Sequence, residues 1–317
     1  MNQKRKYKLK IDSKNKSYAI KDSIFYKLNS KKKLAEILHT TLPKLNALRS
    51  NENYHEFMDH SGKKPRLIQK PINDLEVIHT RIASLLVRIT TPSYLHSGVK
   101  LRSHITNASS HLDSEDVMTA DIRSFYSSTK KTHIYNFFHK TLKASPDVSG
   151  LLAIICSFNE FVPTGSRLSM PIAFWANYPM FTKINNLALL HKLNFSLYVD
   201  DLTFSGSTIP QDFELNIRNI VKSYGHNLHP KKTNFYNKTQ FKIVTGVAIK
   251  DGKLFVSNKL HKSIFQDIEL WKAGGMCYFE DLHNRLVGKL NSQAQIDPKL
   301  KNKIISIRKK IREEEGA

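Results

Sequence analysis

The sequence predicts an α+β protein in which short antiparallel strands alternate with amphipathic helices along one continuous chain of 317 residues. Three stretches carry that expectation. Phe195 to Gly206, FSLYVDDLTFSG, sets apolar and aromatic residues on both sides of Asp200 and Asp201, the pattern of two short strands joined by a turn. Val117 to Ser128, VMTADIRSFYSS, reads as an apolar strand ending on Asp121, with Phe125 and Tyr126 close behind. Asp74 to Thr91 puts Leu75, Ile78, Ile82, Leu85, Leu86 and Ile89 on one stripe, as a core-facing helix requires.

Charge narrows the class of partner. Lys plus Arg number 50 against 27 Asp plus Glu, a formal net charge of +23, and the lysines are spread along the whole chain. Such an excess points to a polyanion. No long basic amphipathic helix stands apart from the fold, so a membrane surface is not the expected partner. The most apolar run, Leu151 to Phe158, is far too short for a membrane span. The first residues, MNQKRKYKLKIDSKNKS, do not lead into a hydrophobic signal core, and the expected location is the cytoplasm. Cys156 and Cys277 sit in unrelated settings and offer neither zinc spacing nor a disulfide framework.

Along the chain, residues 1–22 are Lys-rich and suit either an arm that contacts phosphates or a solvated tail. Lys31 to Leu48 has helical apolar spacing interrupted near Pro43. In SGKKPRLIQKP, residues 61–71, a Ser-Gly turn feeds a strand that ends at Pro71. Lys63, Lys64, Arg66 and Lys70 would project from this hairpin as phosphate donors. His104 and His111 have no metal-site spacing. Lys131 to Phe158 reads as helices, and Pro163 to Gly165 as a turn before a helix through Ile172, Ala173, Trp175 and Ala176. Gly165 and Ser166 would let a base pair or sugar approach the backbone. Asp212 to Tyr224 fits a helix, residues 226–236 a loop into a strand, 241–249 a strand interrupted at Gly246, and Asp251-Gly252 a hairpin turn. From about Lys259 the pattern is helical.

The aspartates set the chemistry. Two adjacent carboxylates at a hairpin tip, with no neighbouring Lys or Arg, repel unless a cation sits between them. Asp121 ends a buried strand and also needs a partner for its charge. Gathered in space, the three would form a two-ion magnesium site of the kind that transfers phosphoryl groups.

The order of these pieces resembles the reverse transcriptases: basic hairpin, strand ending in Asp121, Gly-containing turn and helix, YVDD hairpin, LHPKKT loop and VTG strand. Within that family the chain is most similar to the bacterial retron enzymes, because NASSH at 107–111 matches their NAxxH element and Val244-Thr245-Gly246 their VTG triplet. The resemblance covers nearly the whole chain after about residue 30 and implies a right-hand polymerase fold. Its parts would be a basic arm at 1–22, fingers at 23–112, a palm at 113–250 with finger helices inserted at about 131–165, and a helical thumb at 251–317. It implies that Asp121, Asp200 and Asp201 bind two Mg2+ ions, and that Arg66 and Lys64 hold the incoming triphosphate. Tyr126 would be the steric gate under the sugar, and Lys232 would approach the leaving pyrophosphate as its general acid. Asn107, His111, Val244, Thr245 and Gly246 would recognise a cognate structured noncoding RNA that serves as template and primer. DNA synthesis from an internal guanosine 2′-hydroxyl would give a branched RNA–DNA hybrid, msDNA, from deoxynucleoside triphosphates, with a separate effector protein joining in anti-phage defence.

The sequence departs from the family in two places. The usual PQG followed by Ser-Pro is Pro163-Thr164-Gly165 here, with Met170 between Ser169 and Pro171, so the amide expected to line the nucleotide pocket is missing. Tyr126 stands where a second Phe is frequent. A reverse transcriptase of group II intron or diversity-generating type, and an RNA-binding scaffold with catalysis lost, are the alternatives. The short chain after the VTG strand argues against the first, and the intact carboxylates against the second.

Overall fold

The computed structural model describes residues 9–62, 65–273 and 279–315. Helices and three antiparallel sheets make up the described chain, as the α+β pattern predicts. Helix α1 (Lys31–Ile37) starts at Ser30, whose hydroxyl accepts from the Lys33 N–H. Helix α2 (Leu42–Ala47) holds Pro43 in its first turn, where a missing N–H leaves no bond unmade, so the proline starts a second helix instead of interrupting one. Strands β1 (Tyr54–Asp59) and β2 (Arg66–Pro71) pair from Tyr54 opposite Pro71 to Asp59 opposite Arg66, which puts Arg66 near the hairpin tip. Helix α3 (Asn73–Leu86) buries the predicted stripe. The weakly patterned segment that follows contains α4 (His104–Ser109), closed by a capping box between Ser103 and Thr106.

Strand β3 (Asp116–Asp121) leads into α5 (Phe125–Ser128) and α6 (Lys131–Asn136), which continues through one π turn at Phe137–Thr141. Next come α7 (Pro146–Ile155), α8 (Ser169–Ala176) and α9 (Tyr178–Leu190). The break between α8 and α9 is held by buried Asn177, whose amide donates to the Ala173 carbonyl and to Thr129 Oγ1, both at 2.9 Å. Strands β4 (Asn194–Tyr198) and β5 (Asp201–Gly206) form the aspartate hairpin, followed by α10 (Phe213–Ser223) and β6 (Asn234–Tyr236). Strands β7 (Lys242–Val244), β8 (Val247–Lys250) and β9 (Lys253–Val256) precede α11 (Asn258–Ala273), α12 (Phe279–Gln293) and α13 (Leu300–Glu315).

The central sheet runs β4-β5-β3-β6, antiparallel throughout. Side chains alternate across it. Met118, Ala120, Phe195, Leu197, Leu202 and Phe204 join the large core, which also takes in buried residues of α3, α8, α9 and α10. The intervening positions, Thr119, Asp121, Asp201, Thr203 and Asn234, face an open cleft. One register therefore buries the apolar set and presents the carboxylates.

Two expectations change. Residues 241–249 are two strands and a turn, not one strand with a defect, because Thr245 (φ +45°) and Gly246 (φ +82°) reverse the chain. Nor do residues from about 11 onward form a free basic arm. The Asp12 N–H donates to Ser84 Oγ at 3.0 Å, Tyr18 bridges Ile89, and Ile11, Tyr18 and Ile20 pack against the main core. Three apolar anchors outweigh the lysines between them. Residues 1–8 lie outside the described residues.

Candidate active site

The turn between β4 and β5 consists of Val199 and Asp200 alone. Val199 has a φ of +60°, a conformation that β-branched side chains resist and that persists only where the surroundings over-determine it. The surroundings are a strand-like segment alongside β4. Leu197 N–H donates to the Tyr94 carbonyl at 2.8 Å, His96 N–H to the Leu197 carbonyl at 2.9 Å, and Val199 N–H to the hydroxyl of buried Ser97 at 2.8 Å. Ser97 thus holds the tip of the aspartate hairpin, although nothing in the sequence around it marks that role.

Asp201 lies directly opposite Asp121 in the β3–β5 ladder, and the Ile122 N–H donates to the Asp200 carbonyl at 2.9 Å. Carboxylate oxygens of Asp121, Asp200 and Asp201 come within 4.8 Å of one another. Burial and the neighbouring charges push Asp200 up to about 6 and Asp201 up to about 7. Lys232 Nζ donates to Asp121 Oδ2 at 2.7 Å, and that bond raises the lysine's own pKa. The Lys232 and Arg66 charges both pull Asp200 down, yet burial and Asp121 outweigh them. The cluster is short of positive charge. Three hard oxygen donors around such a deficit suit Mg2+, and no nitrogen or sulfur ligand competes within the group.

Lys232 arrives by way of a loop lashed to the end of β3. His229 N–H donates to the Asp121 carbonyl at 2.7 Å, Arg123 N–H to the Asn227 carbonyl at 2.8 Å, and Leu228 bridges Ile122. Buried His226 anchors the same loop, with Nδ1 at 2.7 Å from Ser128 Oγ and Nε2 at 2.7 Å from Asn177 Oδ1. Since the Asn177 oxygen can only accept, Nε2 carries the proton and Nδ1 accepts from the serine. Burial lowers the His226 pKa to about 4, which keeps this neutral pattern. Tyr126, on the turn of helix after Asp121, feels the Asp200 charge, and burial with that charge raises its phenol to about 12. Asp121, Asp200, Asp201, Lys232, Tyr126 and Arg66 therefore converge. Lys64 lies outside the described residues.

Gly165 and Ser166 are placed differently from expectation. A Cβ on Gly165 would fall 2.7 Å from both the Gln69 carbonyl oxygen and Ile68 Cγ2, so the glycine admits the protein's own strand β2, not a sugar or base. Ser166 Oγ bonds the Nδ1 of fully buried His79 at 2.7 Å and accepts from the Leu168 N–H. Both residues fasten the 163–166 turn to the hairpin and to α3. Thr164, where the resemblance leads to an expected Gln, donates from its hydroxyl to Gln69 Oε1 at 3.0 Å, so a buried side-chain amide from β2 meets this turn. Gln69 and His79 escaped sequence reasoning because their partners lie 87 to 95 residues away.

The cleft of about 1120 Å³ runs from Asp121, Asp201 and Lys232 to the β7–β9 sheet and the start of α11. Its floor is polar, while Phe241, Ile243 and Phe255 give it a partly exposed apolar wall. Thr245 and Gly246 line it too. Asn107, His111 and Val244 are fully buried and cannot touch RNA directly, contrary to expectation. His111 bonds Ser205 Oγ and Ser196 Oγ, each at 2.6 Å, tying β4 to β5, and burial lowers its pKa to about 3.

An antiparallel sheet that gathers three carboxylates beside a lysine is an arrangement able to hold divalent metal ions. Sequence comparison carries this further. The chain is 26% identical to the retron Se72 reverse transcriptase of Salmonella heidelberg (strain 579083-10) over 264 residues, covering 77% of this chain and 69% of that one. It is 22% identical to the retron Ec86 reverse transcriptase of Escherichia coli over 257 residues, 80% of this chain and 79% of that one. With the retron Ec48 reverse transcriptase of Escherichia coli it shares 23% over 180 residues, 55% and 44%. The resemblance to retron reverse transcriptases read from the motifs is borne out. No protein-family model matches the chain. Among solved structures, a foamy viral protease-reverse transcriptase in complex with double-stranded DNA superposes with a TM-score of 0.44 at 12% identity, over 76% of this chain and 36% of that one. No helix among the described residues is long and apolar enough to cross a membrane.

Proposed function

We propose that this protein is the RNA-directed DNA polymerase of a retron, copying a cognate structured noncoding RNA into DNA. The observation that carries the reading is the convergence of Asp121, Asp200 and Asp201 with Lys232 and Tyr126 beside an open cleft, in a chain of net charge +23. The three carboxylates would hold two Mg2+ ions, which when bound lower the pKa of the attacking hydroxyl and offset charge in the in-line displacement. Arg66, with Lys64, would bind the triphosphate. Tyr126 would stack under the deoxyribose and exclude a 2′-hydroxyl. Lys232, protonated at neutral pH by its contact with Asp121, would offset charge on the departing pyrophosphate and supply a proton to it. One bond forms, from the attacking oxygen to the α-phosphorus, and the bond to the β-phosphate bridge oxygen breaks.

In this proposal residues 23–112 act as fingers, 113–250 as palm with finger helices at about 131–165, and 251–317 as a thumb. Synthesis would begin at an internal guanosine 2′-hydroxyl and leave a branched RNA–DNA hybrid. Similarity to retron enzymes also motivates a role in anti-phage defence in the cytoplasm with a separate effector protein. The test is purification from cells carrying the native flanking DNA, followed by extraction of nucleic acid, with Asp200→Asn, Asp201→Asn as control. A DNA species joined to RNA is expected in the wild type and absent from the variant. RNA without DNA in both samples would defeat the proposal.

A further inference from the structure

The Thr245–Gly246 turn has the wrong first residue for its geometry. Two-residue turns with positive φ at both positions favour Asn-Gly, and a β-branched residue at φ +45° is strained. What Thr adds is a hydroxyl aimed inward. Its Oγ1 donates to the His104 carbonyl at 2.9 Å and receives Asn107 Nδ2 at 3.4 Å, so both bonds end on α4. Asn107 is fully buried and its Oδ1 has no partner, a penalty that an apolar side chain would avoid. The amide is retained where its described use is the bond to Thr245.

Helix α4 is itself anchored. Ile105 and Ala108 pack with Val117, Val244, Val247 and Ile249 in a small core shared by β3 and the β7–β9 sheet. Just beyond the helix, His111 rivets β4 to β5, while at its start His104 Nε2 meets Ser292 Oγ of α12 at 3.4 Å. One short helix thus touches the aspartate hairpin, the turn that walls the cleft and the C-terminal helices.

We propose that Thr245 is a positioning residue: through its hydroxyl bonds to α4 it fixes the Thr245–Gly246 turn as a wall of the cleft in register with the aspartates, and the ligand it positions is the RNA·DNA duplex being extended. This rests on the polymerase reading above. The strain at Thr245 is tolerated because an unstrained turn would lack the tie.

The test compares Thr245→Asn, Thr245→Val and Thr245→Ser in the full chain. Asn relieves the backbone strain and breaks the tie as drawn, Val keeps the strain and loses the hydroxyl, and Ser keeps the hydroxyl. Affinity for a labelled RNA·DNA primer–template is measured beside the rate of extension at saturating duplex and the melting temperature. The expected result is that Asn and Val each weaken duplex binding about tenfold, equivalent to ~1.4 kcal/mol, with the saturated rate unchanged and Ser like wild type, while Asn melts at or above wild type and Val below it. Wild-type binding by both Asn and Val overturns the proposal. So does a binding defect confined to the variant that melts lower, which would mark Thr245 as merely structural. A wild-type protein that extends no primer would instead strike the polymerase reading, and this proposal with it.

Discussion

Replacing Asp201 by Asn should stabilise the metal-free protein while removing its response to Mg2+. Asp201 sits opposite Asp121 and next to Asp200, and burial together with those two charges raises its pKa from 3.8 to about 7. Holding it ionised at pH 8 therefore costs up to about 4 kcal/mol, taking ~1.4 kcal/mol per tenfold change in the protonation equilibrium. Asn removes the charge but still buries an amide, so about half of that ceiling, ~2 kcal/mol, is the expected gain. For a chain of this size that is a rise of about 3 °C in melting temperature. The assay is thermal denaturation in chelator and in Mg2+. Wild type should melt lower than the variant in chelator and gain with Mg2+, whereas the variant should gain little and extend no primer. A variant that melts lower than wild type in chelator, or that Mg2+ stabilises equally, would refute the charge-deficit argument. The pH dependence has a fixed sign. Asp200 and Asp201 both bind protons more tightly folded than unfolded, so metal-free wild type should lose stability as pH rises from about 4 through about 7.

Other variants test the supports of the site. Ser97→Ala leaves the Val199 N–H without its partner and should lower the extension rate at a stability loss of about 1–3 kcal/mol, and an unchanged rate would show that Ser97 does not hold the tip. Val199→Gly relieves the positive φ and should raise the melting temperature while slowing extension, because the turn no longer has one preferred shape; a faster enzyme would show that the strained turn does not help to set the rate. Lys232→Met should slow the saturated rate about a hundredfold, in the range for losing a general acid, while tightening Mg2+ binding, since Asp121 loses its cation; weaker Mg2+ binding would argue against that pairing. Tyr126→Ala should raise ribonucleotide incorporation relative to deoxyribonucleotide at least about tenfold, ~1.4 kcal/mol, and unchanged discrimination would remove Tyr126 from the sugar pocket.

The carboxylates were legible in the sequence because a strand's period of two and a turn's composition are local properties. Asp121 at the end of an apolar run and the pair inside FSLYVDDLTFSG declare their elements and their places at the strand ends, and the structure sets Asp121 opposite Asp201. Lys232 and Tyr126 were readable only through the ordered motifs, and both lie at the site. The strand at 241–249 was misread because a Thr-Gly turn lacks the Asn that usually announces one. What tertiary structure alone decided is the set of residues whose partners are distant: Ser97 on Val199, Gln69 on Thr164, His79 on Ser166 and Asn107 on Thr245. Polar residues such as these read as surface in sequence, because burial of a hydrogen-bonding group is acceptable only when a partner meets it, and chain order does not carry that partner's identity. Asn107 and His111 show the consequence, since the motif that suggests contact with RNA is spent inside the fold, joining the aspartate hairpin to the wall of the cleft.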